Sequence, residues 1–390
     1  MKLNRVLCAI ITTTIIVVPT NVTATETVAD AMNSGKFYSD FRLRHESVAQ
    51  DNALKNASAL TLRSRLGFNS ANVNGFSATF EFEDSRVIYG QDNYAVPVTG
   101  FNTGEYSVIA GPETTEVDQM FIKYNTDNWS TKVGRQVLTM NNHRMVGHVG
   151  WRQDRQTFDG VSAAFKPADD LTVDVAYLTQ RNRIFAETAD LDSSDLLLNI
   201  GYKTDIASLK FYLVNLELND VNNSENDTFG ILLDGTADNI AYYAEFASQE
   251  TANNAADYYN LILGTTIEGF SLKAGYEVLG SDNGSYGFST PLATLHKFNG
   301  WADIFLGTPA NGLADFSLKL GTKLGEGNFL AAYHYYEADI GGSDYGTELN
   351  LQWVVKFAGR YSMGVKAAFY SADGYSVDTD KIWVWFGASF

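Results

Sequence analysis

The chain has 390 residues, 46 acidic against 28 basic side chains, and a formal net charge of −18. So acidic a balance excludes an ordinary nucleic-acid binder, because phosphate must be met by cations. The single cysteine, Cys8, and a make-up rich in Phe (24), Tyr (21) and Gly (33) with only 6 Pro exclude a disulfide scaffold or a thiolate metal centre.

The first residues read as a secretory signal. Lys2 and Arg5 precede an apolar run from Val6 to Val18, diluted by Thr12 to Thr14, and Val22-Thr23-Ala24 offers a small-residue cleavage site. The run is too short to span a bilayer as a helix. Its removal takes away Cys8, and takes away two cations, so the charge goes from −18 to −20. The expected division is 1–24 signal peptide, 25–35 a short periplasmic segment, and 36–390 one domain, since no Pro- or Ser-rich linker or charge block interrupts it. No apolar run of helical-span length follows the signal. Two classes of secreted chain remain: a soluble β protein, or an outer-membrane barrel whose alternation hides its apolar face from hydropathy averages.

From Lys36 the period is two. Phe37, Phe41 and Leu43 alternate with Tyr38, Asp40, Arg42 and Arg44; Leu60, Leu62, Leu66 and Phe68 with Thr61, Arg63 and Arg65; Phe76, Ala78, Phe80 and Phe82 with Ser77, Thr79, Glu81 and Glu83. Successive strand residues face opposite sides, so each strand is apolar on one face and polar on the other. The segments run about 10 to 13 residues, the length a tilted strand needs to cross a bilayer, against five or six in soluble sheets.

The connections alternate in length. Eight short turns, such as Thr126-Asp127-Asn128 and Gly325-Glu326-Gly327, and nine longer ones, near 48–57, 87–114, 139–156, 183–193, 219–226, 250–255, 281–312, 340–344 and 372–379, join 18 strands. That predicts an all-β, up-and-down antiparallel transmembrane barrel with short periplasmic turns and long extracellular loops. Ser289 to Pro309 reads either as a nineteenth strand or as part of a long loop with a short helix around His296 to Phe305. The even strand number of bacterial barrels selects the loop. The final strand, Lys381 to Phe390, puts Ile382, Val384, Phe386, Ala388 and Phe390 on one face; its terminal aromatic is what barrel-assembly machinery receives.

Of the 12 arginines after the signal, 11 lie between residues 42 and 183. Arg42, Arg44, Arg63 and Arg65 stand opposite the apolar face, and a charge facing lipid costs roughly 2–4 kcal/mol at the midplane, so they are expected to line the lumen. Asp40, Glu46, Glu81, Glu83 and Asp118 are close enough in the strand pattern to offset them. The ladder is therefore either an anion path or a salt-bridge lattice. The stretch Gly134–Gly160 adds Arg135, Arg144, Arg152 and Arg155 with Trp151 and Gln153 in a polar loop without period, expected in or over the pore together with His296 and Trp301. Around Arg135 the alternation slips, because Val133, Arg135 and Val137 share parity, which a bulge or a position near the rim would explain. His143 and His148 lack the helical zinc-site spacing, and neither a metal nor a cofactor is expected.

Three stretches, GRQVLTMNNHRMVGHVGWRQDRQTFDG at 134–160, TPLATLHKFNGWADIFLGTPANGL at 290–313 and DTDKIWVWFGASF at 378–390, resemble the alginate-export family of outer-membrane porins. The resemblance implies an 18-stranded monomeric barrel whose arginine-lined lumen passes an anionic polysaccharide, with Arg135, Gln136, Trp151, Arg152 and Gln153 matching the central motif. Met140-Asn141-Asn142 stands where the family commonly has an acid, so a charge partner for Arg144 is missing from the motif. The expected function is passive passage of anionic sugars or oligosaccharides through the outer membrane, and no enzymatic role. Two rivals stay open: a plugged structural or adhesive barrel, and an outer-membrane hydrolase using a Ser or Thr nucleophile with a His base such as His45 or His334.

Overall fold

A computed structural model describes residues 27–390; the expected signal and its cleavage site lie outside them. Eighteen strands follow in order: β1 Lys36–Gln50, β2 Ala57–Asn69, β3 Phe76–Asn93, β4 Thr114–Asn125, β5 Trp129–Gln136, β6 Thr157–Ala168, β7 Leu171–Asn182, β8 Leu191–Lys203, β9 Ala207–Leu216, β10 Asn226–Ala237, β11 Ile240–Thr251, β12 Ala255–Ile267, β13 Phe270–Leu279, β14 Leu313–Leu324, β15 Gly327–Glu337, β16 Asp344–Phe357, β17 Tyr361–Ala372 and β18 Thr379–Ser389. Each pairs antiparallel with its chain neighbours. β18 closes on β1 from Asp40↔Ser389 to Gln50↔Thr379, so no edge is left. Closure satisfies the wall's backbone hydrogen bonds internally, as hydrocarbon surroundings require.

The alternation explains why these segments are strands. Along β2, Ala57, Ala59, Thr61, Arg63 and Arg65 are buried inward, while Leu66 on the other face is 56% exposed. The same outward exposure holds for Phe82, Ile122, Leu261, Leu263, Leu318 and Val384, an apolar band suited to acyl chains. At the short-turn end the band finishes in aromatic pairs, Phe37–Phe68, Phe76–Tyr124, Trp129–Phe165 and Phe357–Tyr361, the girdle that marks a membrane–water interface.

Eight short connections, the longest 70–75, alternate with nine on the opposite rim, of which 94–113, 137–156 and 280–312 are the longest. The strand count and the reading of Ser289–Pro309 as loop agree with expectation. The helix expected from His296 to Phe305 does not form: one 3-10 turn spans Leu295–Lys297. Asn299, Gly300 and Asp303 then take φ of 51°, 84° and 61°, left-handed conformations that a right-handed helix cannot carry forward. The segment before β1 holds a short helix, α1 Val28–Asn33, closed by a Thr27/Asp30 capping box. Its Ala31 carbonyl accepts from the Ala71 amide at 2.9 Å, which ties the helix to the β2–β3 turn.

Candidate functional site: two loops inside the barrel

Loops 137–156 and 280–312 both fold into the lumen, and β1 supplies the anchor for the first. Arg42 donates to the carbonyls of Gly150 (3.2 Å) and Trp151 (2.9 Å) and to Gln153 Oε1 (2.9 Å). Gln153, fully buried, returns donors to the Arg42 carbonyl and to Thr61 Oγ1. The second loop pairs with the first: Gly147 N donates to Leu292 O (2.7 Å) and Thr294 N to His143 O (3.0 Å). Trp151 stacks on His296 with ring centres 5.1 Å apart and planes within 3°.

Asp303 is the knot. It accepts from Arg152 of the first loop (2.6 Å), Lys381 of β18 (3.0 Å) and His296 Nδ1 (2.6 Å). Against burial, which would raise it, the His296 hydrogen bond and the Lys381 and Arg152 cations hold its carboxyl well below the usual carboxylate range. His296 is pushed down to about 3 by burial, so the ring is neutral. Its Nδ1–H then donates to Asp303, and Nε2 accepts from Lys366 Nζ at 2.7 Å. Lys366 lies 3.8 Å from the Trp301 ring and 4.2 Å from that of Trp151, a cation held between two π faces. The expected loop residues Trp151, Gln153, His296 and Trp301 thus meet at one place.

The arginines of β1 and β2 point inward as the alternation implies, and each finds a partner. Arg44 pairs with Glu46 (3.1 Å), Arg63 with Asp40, and Arg65 with Glu83 and Asp118. Arg152 bridges Glu46 and Asp303, and Arg155 bridges Glu81 and Asp118. All five acids picked out in the sequence are used, joined by Asp303 of the second loop. Arg144, whose acid is missing from its own motif, takes Glu277 of β13 at 2.8 Å and lies over the rings of Phe298 and Tyr258. Apart from Arg42, whose guanidinium is taken up by carbonyls and Gln153, what stands in this part of the lumen is a neutralised lattice and not a row of free cations.

Arg135 is a correction. It shares the face of Val133 and of its cross-strand partner Met120, both outward, and forms a bidentate pair with Asp159 (2.8 and 3.1 Å) near the extracellular ends of β5 and β6. It stays in phase with the outer wall, so the apparent slip is a polar residue on the lipid side near the rim, where its charge is met locally. Gly134 and Gly160 sit opposite each other there. A Cβ on Gly134, at φ +122°, would come within 2.2 Å of the Met120 carbonyl.

Among the described residues Arg42, Arg183 and Arg360 also lack a carboxylate, Arg42 being held by carbonyls and the other two lying over Phe185 and Phe390, but most cations without a counter-charge are lysines. Among the described residues only Lys55, Lys166 and Lys381 pair with a carboxylate. Lumen-facing Lys123, Lys132, Lys210, Lys273, Lys319, Lys323, Lys356 and Lys366, and Lys297 of the second loop, have none within 4.0 Å. Lys123 stands directly across from Lys132, and Lys273 from Lys319, an arrangement unfavourable in isolation. A cavity of about 390 Å³ opens between the loops and the β14–β17 wall, lined by Lys297, Lys319 and Lys366, by Trp151 and Trp301, and by His143, His148, His296 and His334, without a carboxylate. His148 is pushed down to about 4 by burial and by the neighbouring His143 and Arg155; burial and Lys297 lower His143.

Sequence reasoning missed this tier because the lysines are spread evenly along the chain and never cluster locally. The signal was present: Lys273 and Lys319 alternate with outward Leu272 and Leu318, as the arginines do with their leucines. Of the possible bases, His45 faces outward with Nε2 3.1 Å from Ser58 Oγ, and no partner orients its Nδ1 among the described residues. His334 is bound to Asp315.

No model of a known protein family matches the chain, and no curated protein does. Solved structures do. OccAB4 of Acinetobacter baumannii superposes with a TM-score of 0.70 at 14% identity, over 91% of this chain and 98% of that one. OpdO of Pseudomonas aeruginosa gives 0.70 at 15% over 93% and 98%, and OccK9 (OpdG) of the same organism 0.69 at 12% over 92% and 100%. The fold is that of outer-membrane β-barrel porins, a closed 18-stranded antiparallel barrel. The alginate-export resemblance finds no specific counterpart in these comparisons.

Proposed function

We propose that the chain is a passive outer-membrane porin preferring anionic solutes, carboxylated sugars and alginate-like polymer among them, and that the lysine tier is its positive path. The channel role is supported by the barrel shared with the Occ/Opd porins. The sign of the preference rests on one observation: in a protein of net charge −18, lumen-facing lysines stand without carboxylates and in like-charged cross-strand pairs. A passing anion supplies the missing counter-charge. Selectivity then follows from a charged constriction of limited diameter. In this reading Arg44, Arg63, Arg65, Arg144, Arg152 and Arg155 hold the constriction's shape, since a guanidinium already paired with a carboxylate presents little net field, and Arg42 holds it through the carbonyls of the loop 137–156. The test is the reversal potential in a planar bilayer under a KCl gradient. Lys273→Glu/Lys319→Glu should weaken or reverse anion preference, and unchanged selectivity removes the lysine tier from the account.

A second reading is a plugged barrel of structural or adhesive role. It is favoured by the apolar packing inside the lumen, where Phe305 of the second loop sits among Tyr336, Tyr345, Tyr370 and Tyr375. Negligible wild-type conductance, with current restored by deleting 285–307, would decide for it.

A further inference from the structure

We infer that a chamber on the other side of the loop 137–156 is a second binding site, for a small organic anion that also carries hydroxyl groups. The chamber, about 370 Å³, lies against the β5–β9 wall, opposite the lysine–tryptophan cavity on the β14–β17 wall. Its lining includes Lys132, Lys210, Ser162, Asp174 and Asn199 from the wall and Asn141 from the loop.

Asn141 carries the inference. It is 5% exposed, yet neither its amide nitrogen nor its amide oxygen has a partner. It is also held at φ 44°, in a run of three left-handed residues with Asn142 and His143. Asn199 across the chamber is 7% exposed; its nitrogen donates to Asp174 (3.3 Å) while its oxygen accepts nothing. A buried polar group left unsatisfied costs about 1–3 kcal/mol. Two such amides around a cavity of ligand size mark polar atoms awaiting a partner.

The chemistry of that partner follows from the lining. Lys132 and Lys210 have no carboxylate of their own and call for an anionic group. The two orphan amide oxygens and the Asp174 carboxylate call for donors, which a halide or a simple carboxylate lacks and a hydroxyl supplies. Asn141 Nδ2 supplies a donor in return. Charge and hydroxyls are therefore both needed, and a bare anion meets Asp174 without compensation.

The probe is gluconate, with propionate (charge, no hydroxyls) and glucose (hydroxyls, no charge) as comparisons, on the detergent-solubilised mature barrel. Calorimetry should show gluconate bound at least about tenfold more tightly than either, since each lost charge or hydrogen-bond set is worth 1.4 kcal/mol or more. Crystals soaked in gluconate should show it between Lys132 and Asn141. Lys132→Gln/Lys210→Gln and Asn141→Leu should each lower affinity by about tenfold; Lys297→Gln/Lys319→Gln is measured beside them, and Lys55→Gln, an exposed cation paired with Glu105 outside both cavities, should leave affinity unchanged. The inference is overturned if the chamber of the soaked crystal holds only water, if propionate or glucose binds as well as gluconate, or if affinity follows Lys297/Lys319 instead. Heat-modifiable migration on gels checks that each variant is a folded barrel. Binding is read without flux, so a barrel that fails to conduct leaves this site standing.

Discussion

Two walls of one lumen use cations in opposite ways. On the β1–β4 side and in the loop it anchors, the buried guanidinium groups of Arg44, Arg63, Arg65, Arg152 and Arg155 share six carboxylates, Asp40, Glu46, Glu81, Glu83, Asp118 and Asp303, while Arg42 is held by carbonyls and Gln153. On the β5, β9 and β13–β17 side, ammonium groups stand alone or face each other. A planar fork that takes carboxylate bidentately suits architecture; a hydrated point charge on a flexible stem suits transient contact. Positive side chains inside a barrel are thus not by themselves a path: the partner decides.

The comparison can be broken most forcefully at Asp303. Asp303→Ala leaves Arg152, Lys381 and His296 without their shared anion, and unpairing a buried charge costs about 3–5 kcal/mol. The expected result is a lowered unfolding temperature together with higher single-channel conductance, as both loops lose their tie to β18. Wild-type conductance and stability would show that the loops are held elsewhere.

A sharper contrast sets Arg63→Glu/Arg65→Glu beside the lysine reversal. The arginine pair faces Asp40, Glu83 and Asp118, so reversal piles up buried negative charge. Stability should fall by several kcal/mol, whereas the Lys273/Lys319 variant changes selectivity with stability little affected. Equal selectivity loss in both would erase the distinction between lattice and path.

The smallest effect concerns pH. His148 titrates near 4 in the folded chain, below the unfolded value of about 6.5. Between these the unfolded chain binds more protons, so stability declines as pH falls from about 6.5 toward 4. Below about 4 the added charge beside the lysine cavity should raise anion preference. His148→Gln should flatten both trends, and a pH profile identical to wild type would remove His148 from them.

How much was legible follows from range. Facing along a strand is a local property: Leu62 out and Arg63 in is settled by two consecutive residues, and the turn and loop lengths then count the strands. Even the acids that neutralise the arginines were visible, because they sit on adjacent strands. Arg135 misled because a charged residue was expected in the lumen, although the parity it shares with Val133 puts it on the outer wall near the rim. The helix assigned to His296–Phe305 failed because nothing local announces that Asn299 and Asp303 adopt left-handed backbone to place their side chains on Arg144 and Arg152.

By itself the sequence determined the barrel, its strand number and the face each wall residue shows, since a period of two against a two-sided environment admits one orientation per residue. Tertiary structure alone decided which cations remain free, which loop residues meet at Asp303, and that two buried asparagines border a chamber of ligand size. Those depend on closure: residues hundreds of positions apart become neighbours only when β18 reaches β1 and both loops turn inward, and the energy of a charge is set by what then stands beside it.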